Sequence, residues 1–184
     1  MKLKITALLL LFLAVGLWAV FRPKPLGDEW RKKAEAGDAV AQSKLGNRYE
    51  NGDGVQKDSA EAAKWYRKSA EQGNAGAQFQ LGYMYAKGNG VLKNSTEAAK
   101  WYRKSAEQGD AGAQVFLSGC YYVGEGVPKD IVSAHAWANN ASANGDERGK
   151  IIIGMMESML TPEQIAEATK LAREIFERIE AKKK

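Results

Sequence analysis

The chain offers few residues that could carry out chemistry. Its 184 residues include one histidine, His135, and one cysteine, Cys120. A single cysteine cannot form an intramolecular disulfide, a four-thiolate zinc site or an iron–sulfur cluster held by this chain alone, and a single histidine contributes little to a metal site. No nucleophile motif accompanies His135, which a general base would need close by. We therefore predict a non-catalytic protein without a cofactor or a metal, in which His135 is either packed or on the surface.

Two short motifs resemble known sites, but their sequence context argues against those functions. Residues 117–120 read Leu-Ser-Gly-Cys, like a lipoprotein cleavage box, yet the apolar segment that could direct export lies far upstream at residues 5–21. The paired glycines Gly52 and Gly54 lack the preceding strand and the Lys-Ser or Lys-Thr that a phosphate-binding loop requires. We interpret these glycines as residues that end a helix and reverse the chain.

The net charge of +5 does not indicate a surface for nucleic acid. It is accounted for by five lysines near the two ends of the chain: Lys2, Lys4, Lys182, Lys183 and Lys184. Basic and acidic residues are equally numerous in the rest of the chain, so net charge gives no argument for a phosphate-binding surface. We predict that nucleic acid is not a partner.

Residues 1–25 are predicted to direct the chain to a membrane. The segment from Ile5 to Phe21 carries no charge, and its length falls between a signal-peptide core of about 7–15 residues and a spanning helix of about 17–25. Cleavage at the small residues 14–16 would leave Trp18 exposed on the mature protein, which favours a retained anchor over a cleaved signal peptide. Flanking charges leave the orientation open, but the short basic head is typical of export signals. We predict a periplasmic protein tethered to the inner membrane.

The rest of the chain repeats with a period of 36 residues. Residues 38–73 and 74–109 are identical at 24 of 36 positions, and residues 110–145 form a diverged third copy. A half-repeat at 26–37 precedes them, and 146–184 follow as capping helices and a basic tail. The sequence thus divides into a leader, a half-unit, three units and a C-terminal cap.

Each unit is predicted to be a pair of helices. Ala41, Leu45 and Tyr49 form one helical stripe, and Ala62, Tyr66 and Ala70 form the next, with paired glycines between the two. The second helices are predicted to begin at Asp58, Asn94 and Asp130, although Ser59 and Ser95 compete as N-caps, and to end at Gly73, Gly109 and Gly145. One helix pair cannot bury its own apolar stripe, so the units must stack.

These residues resemble the Sel-one-like repeat (SLR) family, α/α solenoids related to tetratricopeptide repeats. The resemblance covers about residues 37–160 and is of the exported bacterial type. The motif is carried by one set of residues that recurs 36 positions later: Ala41, Leu45, Gly46, Tyr49, Gly52, Gly54, Val55, Asp58, Ala62, Trp65, Tyr66, Ala70 and Gly73. The third copy departs at Ser118, His135 and Ala138, which predicts a terminal unit packed against something other than a repeat.

A C-terminal cap is predicted to cover that unit. Residues 147–159 continue as a first helix, and Thr161, Pro162 and Gln164 have the spacing of a capping box. One side of the helix that follows is apolar: Ile165, Ala168, Leu171, Ala172, Ile175 and Ile179. The predicted fold is therefore all-α, an α/α solenoid of about three 36-residue helix-turn-helix repeats with an N-terminal half-repeat and C-terminal capping helices.

Comparison of the copies within this chain separates scaffold from candidate binding residues. Trp65, Trp101 and Trp137 recur on the packing stripe and are predicted to be core, and the recurring lysines and arginines of the second helices alternate with glutamates, as on a solvated face. The first helices vary most, and in solenoids of this kind they line the concave side. We predict partner contacts at Lys44, Arg48, Phe79, Tyr83, Met84, Phe116 and Tyr122. The alternative for Val115, Phe116 and Tyr122 is packing on the C-terminal cap.

The resemblance implies a protein that binds another protein, and we expect the chain to be monomeric. Relatives act as adaptors and assembly factors, and some exported bacterial members are immunity proteins that inhibit a partner such as a phospholipase toxin. Some disulfide-rich relatives bind or hydrolyse penicillin-like compounds, which leaves an enzyme as the alternative class. Their paired cysteines are missing here, so we favour the binding function.

Overall fold

The computed structural model describes residues 28–183, with side chains from residue 29 onward. This part of the chain contains helices and no strands. The helices are α1 (Asp28–Glu35), α2 (Ala39–Asn51), α3 (Ser59–Glu71), α4 (Ala75–Lys87), α5 (Ser95–Ala106), α6 (Ala111–Val123), α7 (Ile131–Ala143), α8 (Glu147–Glu157) and α9 (Pro162–Lys182). The predicted all-α solenoid, with its additional helices at both ends, is confirmed.

The predicted membrane segment, residues 5–21, lies outside the described residues. Within residues 28–183, none of the helices combines the length and the apolarity that crossing a membrane requires.

Local sequence determines where each helix begins and ends. The second helices α3, α5 and α7 begin after Asp58, Asn94 and Asp130, whose side chains accept hydrogen bonds from backbone amides of the first turn. This confirms the predicted N-caps over the neighbouring serines. The first helices end at glycines in the left-handed region, where the amide of Gly88, for example, donates to the carbonyl of Met84.

The turn glycines also allow consecutive units to approach closely. A Cβ atom at Gly90 would lie 2.1 Å from the carbonyl oxygen of Ser59, and one at Gly126 would lie 2.0 Å from that of Ser95. The turn of each unit therefore rests on the start of the second helix in the preceding unit. A side chain at either glycine would collide with backbone, which cannot move aside as a flexible side chain could.

Packing within a unit explains two departures of the third copy. In the first two units a tyrosine ring covers a glycine, and a Cβ atom at Gly46 or Gly82 would lie 2.8 Å from the ring of Tyr66 or Tyr102. In the third unit both partners change together. Ala138 replaces the tyrosine, and Ser118 replaces the glycine and donates its hydroxyl to the carbonyl of Ala134 at 2.7 Å.

Buried polar side chains connect each unit to the one before it. Gln42 Nε2 donates to the Ala34 carbonyl at 3.0 Å, and Gln78 Nε2 donates to the Ala70 carbonyl at 3.0 Å. The same bond recurs one unit later, from Gln114 to the Ala106 carbonyl at 3.1 Å. We call these contacts the junction ladder. They fix the register of neighbouring units because each bond has one donor and one acceptor position.

The C-terminal helix α9 covers the outward face of α7. Ile175 and Ile179 pack in one cluster with Trp137, and Asn140 Nδ2 donates to the Ala172 carbonyl at 3.0 Å. The helix starts with the predicted capping box, in which Thr161 and Gln164 exchange hydrogen bonds. The third unit is therefore terminal, and its covering is α9 rather than a further repeat.

The three repeated tryptophans differ in burial. Trp101 and Trp137 are 6% and 5% exposed, which confirms the core prediction for these two. Trp65 is only half-buried, with the Lys68 ammonium 4.2 Å from its ring centroid. Lys104 lies over Trp101 at the same distance. In the third unit the residue equivalent to Lys68 and Lys104 is Asn140, which α9 buries.

Candidate protein-binding surface

The first-helix surface consists of the side chains of α2, α4 and α6 that are not packed between units. It includes six of the seven predicted contact residues. Lys44 is exposed, and the others are half-buried: Arg48, Phe79, Tyr83, Phe116 and Tyr122.

The prediction is wrong for Met84. Its side chain is fully buried in the cluster that joins the first two units, against residues such as Leu81 and Trp101. Arg48 holds the equivalent position one unit earlier and stays half-buried. An apolar residue at this position packs into the unit junction, so Met84 supports the scaffold and cannot contact a partner.

Aromatic side chains form the centre of the first-helix surface. The Phe116 ring lies 5.4 Å from Phe79, 6.1 Å from Tyr83 and 5.2 Å from the buried Tyr102, measured between ring centroids. The first two contacts are edge-to-face, a favourable geometry for aromatic rings. We call Phe79, Tyr83 and Phe116 the aromatic cluster. It combines rigid apolar area with a phenol hydroxyl, a composition typical of interface hot spots.

A basic patch lies on the first unit, apart from the aromatic cluster. Lys44 and Arg48 line a shallow depression with Asn47 and Asp53. The Lys44 ammonium lies 4.2 Å from the ring centroid of Trp30 in α1. The predicted contact residues therefore occupy two separate parts of the surface, one basic and one aromatic.

Tyr122 faces the C-terminal cap. Its hydroxyl lies 3.7 Å from Met159 Sδ, and its ring packs on the cluster of Met156 and Leu160. For this residue the structure supports the alternative, packing on the cap. Phe116 contacts the aromatic cluster and has the Arg148 guanidinium 6.0 Å from its ring centroid, so it lies between the surface and the cap.

A groove of about 470 Å³ opens beside the aromatic cluster. Its walls come from α4, α5, α6 and α8, and the turn residues Lys93 and Glu125 complete them. Val115, Phe116, Val123 and Ile152 supply apolar wall, whereas Lys87 and Arg148 supply positive charge. We call this the α4–α8 groove. Sequence comparison of the first helices missed Lys87, Arg148 and Ile152, because these residues meet only after α8 folds back beside α6.

Three consecutive matches to the family model described as "Sel1 repeat" cover residues 39–74, 75–110 and 111–146. The chain belongs to the Sel1 repeat family. Proteins with Sel1 repeats are generally protein-interaction modules. No curated protein sequence matches the chain.

Solved structures with Sel1 or SLR folds resemble the chain. A protective antigen present in uropathogenic Escherichia coli strains is 39% identical, with a TM-score of 0.76, over 82% of this chain and 32% of that one. A Sel1 repeat protein from Oxalobacter formigenes is 42% identical, with a TM-score of 0.64, over 65% of this chain and 49% of that one. The chain thus spans about a third and about half of these two proteins.

A third structure shares the fold alone. The cysteine-rich protein B of Helicobacter pylori is 22% identical, with a TM-score of 0.54, over 68% of this chain and 90% of that one.

The two residues whose side chains are best suited to chemistry, His135 and Cys120, lie in the third Sel1 repeat, the first buried and the second half-buried. His135 is 1% exposed, its Nδ1 lies 2.9 Å from Asn139 Nδ2, and burial lowers its pKa against the opposing effect of Glu157. Burial raises the pKa of the Cys120 thiol to about 11, so it is protonated and weakly nucleophilic at neutral pH. The packed alternative for His135 is confirmed. In the part of the chain that the structure describes, no His, Cys, Asp and Glu side chains cluster as metal ligands.

Proposed function

We propose that this Sel1 repeat protein captures another protein through its first-helix surface and performs no catalysis itself. The observation that carries the proposal is the half-buried aromatic cluster of Phe79, Tyr83 and Phe116. The surrounding scaffold recurs from unit to unit, whereas these positions differ between copies. A repeated scaffold that presents varied aromatic side chains is suited to recognising a specific partner.

We further propose that the protein acts outside the cytoplasm, tethered to the inner membrane by residues 5–21. The basic head and the uncharged segment support this location. The likeness to a protective antigen of E. coli is compatible with an exported protein. In that location the protein serves as an adaptor of an envelope complex or as an immunity protein that inhibits a partner toxin such as a phospholipase.

Crosslinking and pull-down from the native envelope test the binding function. The test variant replaces Phe79 and Tyr83 with alanine, and the matched control replaces the exposed Lys64 and Lys100 of the second helices with alanine. We expect the test variant to lose the captured protein and the control to retain it, with both variants showing wild-type helicity by circular dichroism. Capture that is equal in all three proteins would place the interface elsewhere.

A second double variant identifies the part of the surface that is used. Lys44→Glu with Arg48→Glu reverses the charge of the basic patch and leaves the aromatic cluster intact. Loss of capture only in this variant would shift the interface to the first unit.

The adaptor and immunity functions differ in what the captured protein does. Co-expression with a captured toxin should restore growth if the protein is an immunity protein, and a neighbouring gene for a secreted lipase would support the same function. Capture of envelope-assembly components, or a neighbouring envelope-assembly operon, would support the adaptor function.

The location is tested by fractionation of cells that express the full chain or a chain without residues 1–25. We expect the full chain in the inner-membrane fraction, accessible to protease added to the periplasm, and the shortened chain in the cytoplasm. A full chain that stays protected from periplasmic protease would contradict the proposed location.

A further inference from the structure

The α4–α8 groove contains a buried hydroxyl group without a hydrogen-bond partner. Tyr102 is 1% exposed and lines the groove, and no group within residues 28–183 accepts a hydrogen bond from its hydroxyl. Buried polar groups in proteins are nearly always paired, and an unpaired one costs free energy. Such a group at the wall of an open groove indicates a ligand that supplies the missing acceptor.

The first unit shows which acceptor this position takes. Tyr66 is the equivalent of Tyr102, and its hydroxyl donates to the Glu50 carboxylate at 2.8 Å. The residue equivalent to Glu50 in the second unit is Ala86, which is half-buried in the wall of the groove. The second unit therefore keeps the donor of this pair and lacks the carboxylate.

The charges around the groove favour an anionic group. Lys87, Lys93 and Arg148 contribute three positive charges to its lining, and Glu125 contributes one negative charge. Glu125 is itself engaged, because Ser95 donates to it at 2.8 Å and Lys93 lies 3.7 Å away. Arg148 is paired with Asp146 at 2.6 Å, which leaves Lys87 as the lining cation without an ion pair among the described residues.

The remaining wall is apolar. Val115, Phe116, Val123 and Ile152 line the groove beside these charges. An isolated small anion would leave this apolar surface uncovered, whereas a peptide segment with apolar residues next to an acidic one would cover both parts.

We propose that the α4–α8 groove binds an acidic side chain of a partner protein, flanked by apolar residues, and that the Tyr102 hydroxyl donates to its carboxylate. The partner's carboxylate takes the position that Glu50 occupies beside Tyr66, and Lys87 supplies a positive charge in the same lining. A hydrogen bond to a charged acceptor is shorter and stronger than one to a neutral acceptor, so this contact selects acidic over amide side chains. This inference rests on the proposed protein-binding function and specifies the chemistry of the partner.

Synthetic peptide libraries test the inference even while the partner is unidentified. One library of ten-residue peptides has Glu fixed at a central position among randomised apolar residues, and the second has Gln there. Both carry amidated C-termini. We expect the labelled full chain to prefer the Glu library by about tenfold, the ratio that corresponds to one charge-assisted hydrogen bond.

Two substitutions in the groove should abolish this preference, one by removing the donor and the other by supplying an acceptor from within the chain. Tyr102→Phe removes the donor and keeps the ring, so the Glu and Gln libraries should then bind equally. Ala86→Glu supplies the acceptor from within the chain. It should lower binding of the Glu library at least as strongly as Tyr102→Phe does. Glu50→Ala is the matched control, because it leaves Tyr66 unpaired in the first unit and should not change binding in the groove.

A thermal melt provides a readout that needs no peptide. Ala86→Glu should raise the melting temperature by about 2–4 °C if its carboxylate pairs with Tyr102. The same melt shows whether each variant is folded before its binding is compared.

The inference is overturned if the Glu and Gln libraries bind equally to the unmodified chain, if neither binds, or if Tyr102→Phe leaves the preference intact. Binding only to a third library, identical to the Gln library but with free C-terminal carboxylates, would also overturn it, because the ligand would then be a chain terminus. In each of these cases the proposed protein-binding function still stands if the Phe79 and Tyr83 double variant loses its native partner. That function fails separately if the double variant captures the partner normally.

Discussion

The second and third units have the same pair of helices but opposite surroundings on their outward faces. In α5 this face carries Lys100 and Lys104 and meets solvent. In α7 the equivalent residues are Ala136 and Asn140, which are 0% and 2% exposed because α9 covers them. The residues that define the helix pair are retained in both units, whereas the outward residues depend on what covers them. The backbone of a unit and the chemistry of its surface are therefore separable properties of the sequence.

The largest expected effect is the loss of stability when a buried tryptophan, rather than a half-buried one, is replaced by alanine. Trp101→Ala and Trp137→Ala should each lower the free energy of unfolding by about 3–5 kcal/mol, because each leaves a cavity in a packed cluster. Trp65→Ala should cost less because part of that side chain already contacts solvent. Chemical denaturation of the three variants measures the difference. An unchanged stability of the Trp101 variant would contradict its assignment to the core.

A second prediction exchanges the outward residues of the two units. Asn140→Lys should destabilise the protein by about 3–5 kcal/mol, because it places an unpaired charge beneath α9 and removes the hydrogen bond to Ala172. The reverse change, Lys104→Asn, alters a solvated side chain and should cost at most about 0.5 kcal/mol. Similar costs for the two exchanges, measured by denaturation, would show that α9 does not seal α7.

A third prediction applies to the turns. Gly126→Ala should destabilise by about 2–3 kcal/mol, because a left-handed residue gains a side chain that collides with the Ser95 carbonyl. Gly145→Ala is the control, since this glycine is also left-handed, at φ 88°, but has no atom within 4 Å of the added Cβ. The control should show only the smaller cost of backbone strain. Equal effects on the melting temperature would mean that the close approach of units contributes nothing.

The smallest expected effect is a pH dependence of stability that arises from His135 in the third unit. Burial holds the pKa of His135 below its ordinary value of 6.5, so the folded protein keeps this imidazole neutral while the unfolded chain takes up a proton. Stability should therefore decline as the pH falls below about 6.5. His135→Ala restores the residue of the other units, Ala63 and Ala99, and should weaken this decline between pH 7 and pH 5. Identical pH profiles would remove His135 as its cause.

Local features of the helices and turns were predictable from the sequence. The N-caps at Asp58, Asn94 and Asp130, the turn glycines and the capping box at Thr161 depend on residues close together in the chain, and all are observed. Local spacing determines such contacts before any tertiary structure forms.

Contacts between distant elements were harder to predict. Met84 was predicted as a contact residue because its position varies between the copies, but only the stacked structure shows that an apolar residue there enters the unit junction. The change from Glu50 to Ala86 was visible in the sequence, whereas its consequence for Tyr102 required knowing that Tyr66 donates to Glu50. The groove combines residues from α4 and α8, whose proximity depends on how the cap folds back.

The junction ladder makes the units interchangeable. Gln42, Gln78 and Gln114 each donate to the carbonyl of an alanine in the preceding unit or half-unit, so the junctions have the same donor and the same acceptor. Duplication or loss of 36 residues between these positions would leave every remaining junction chemically unchanged. Beyond the third unit the residue equivalent to Gln114 is Lys150, so the C-terminal cap does not continue this bond. Recombination within a gene could therefore lengthen or shorten the array upstream of the third unit while the cap remains in place.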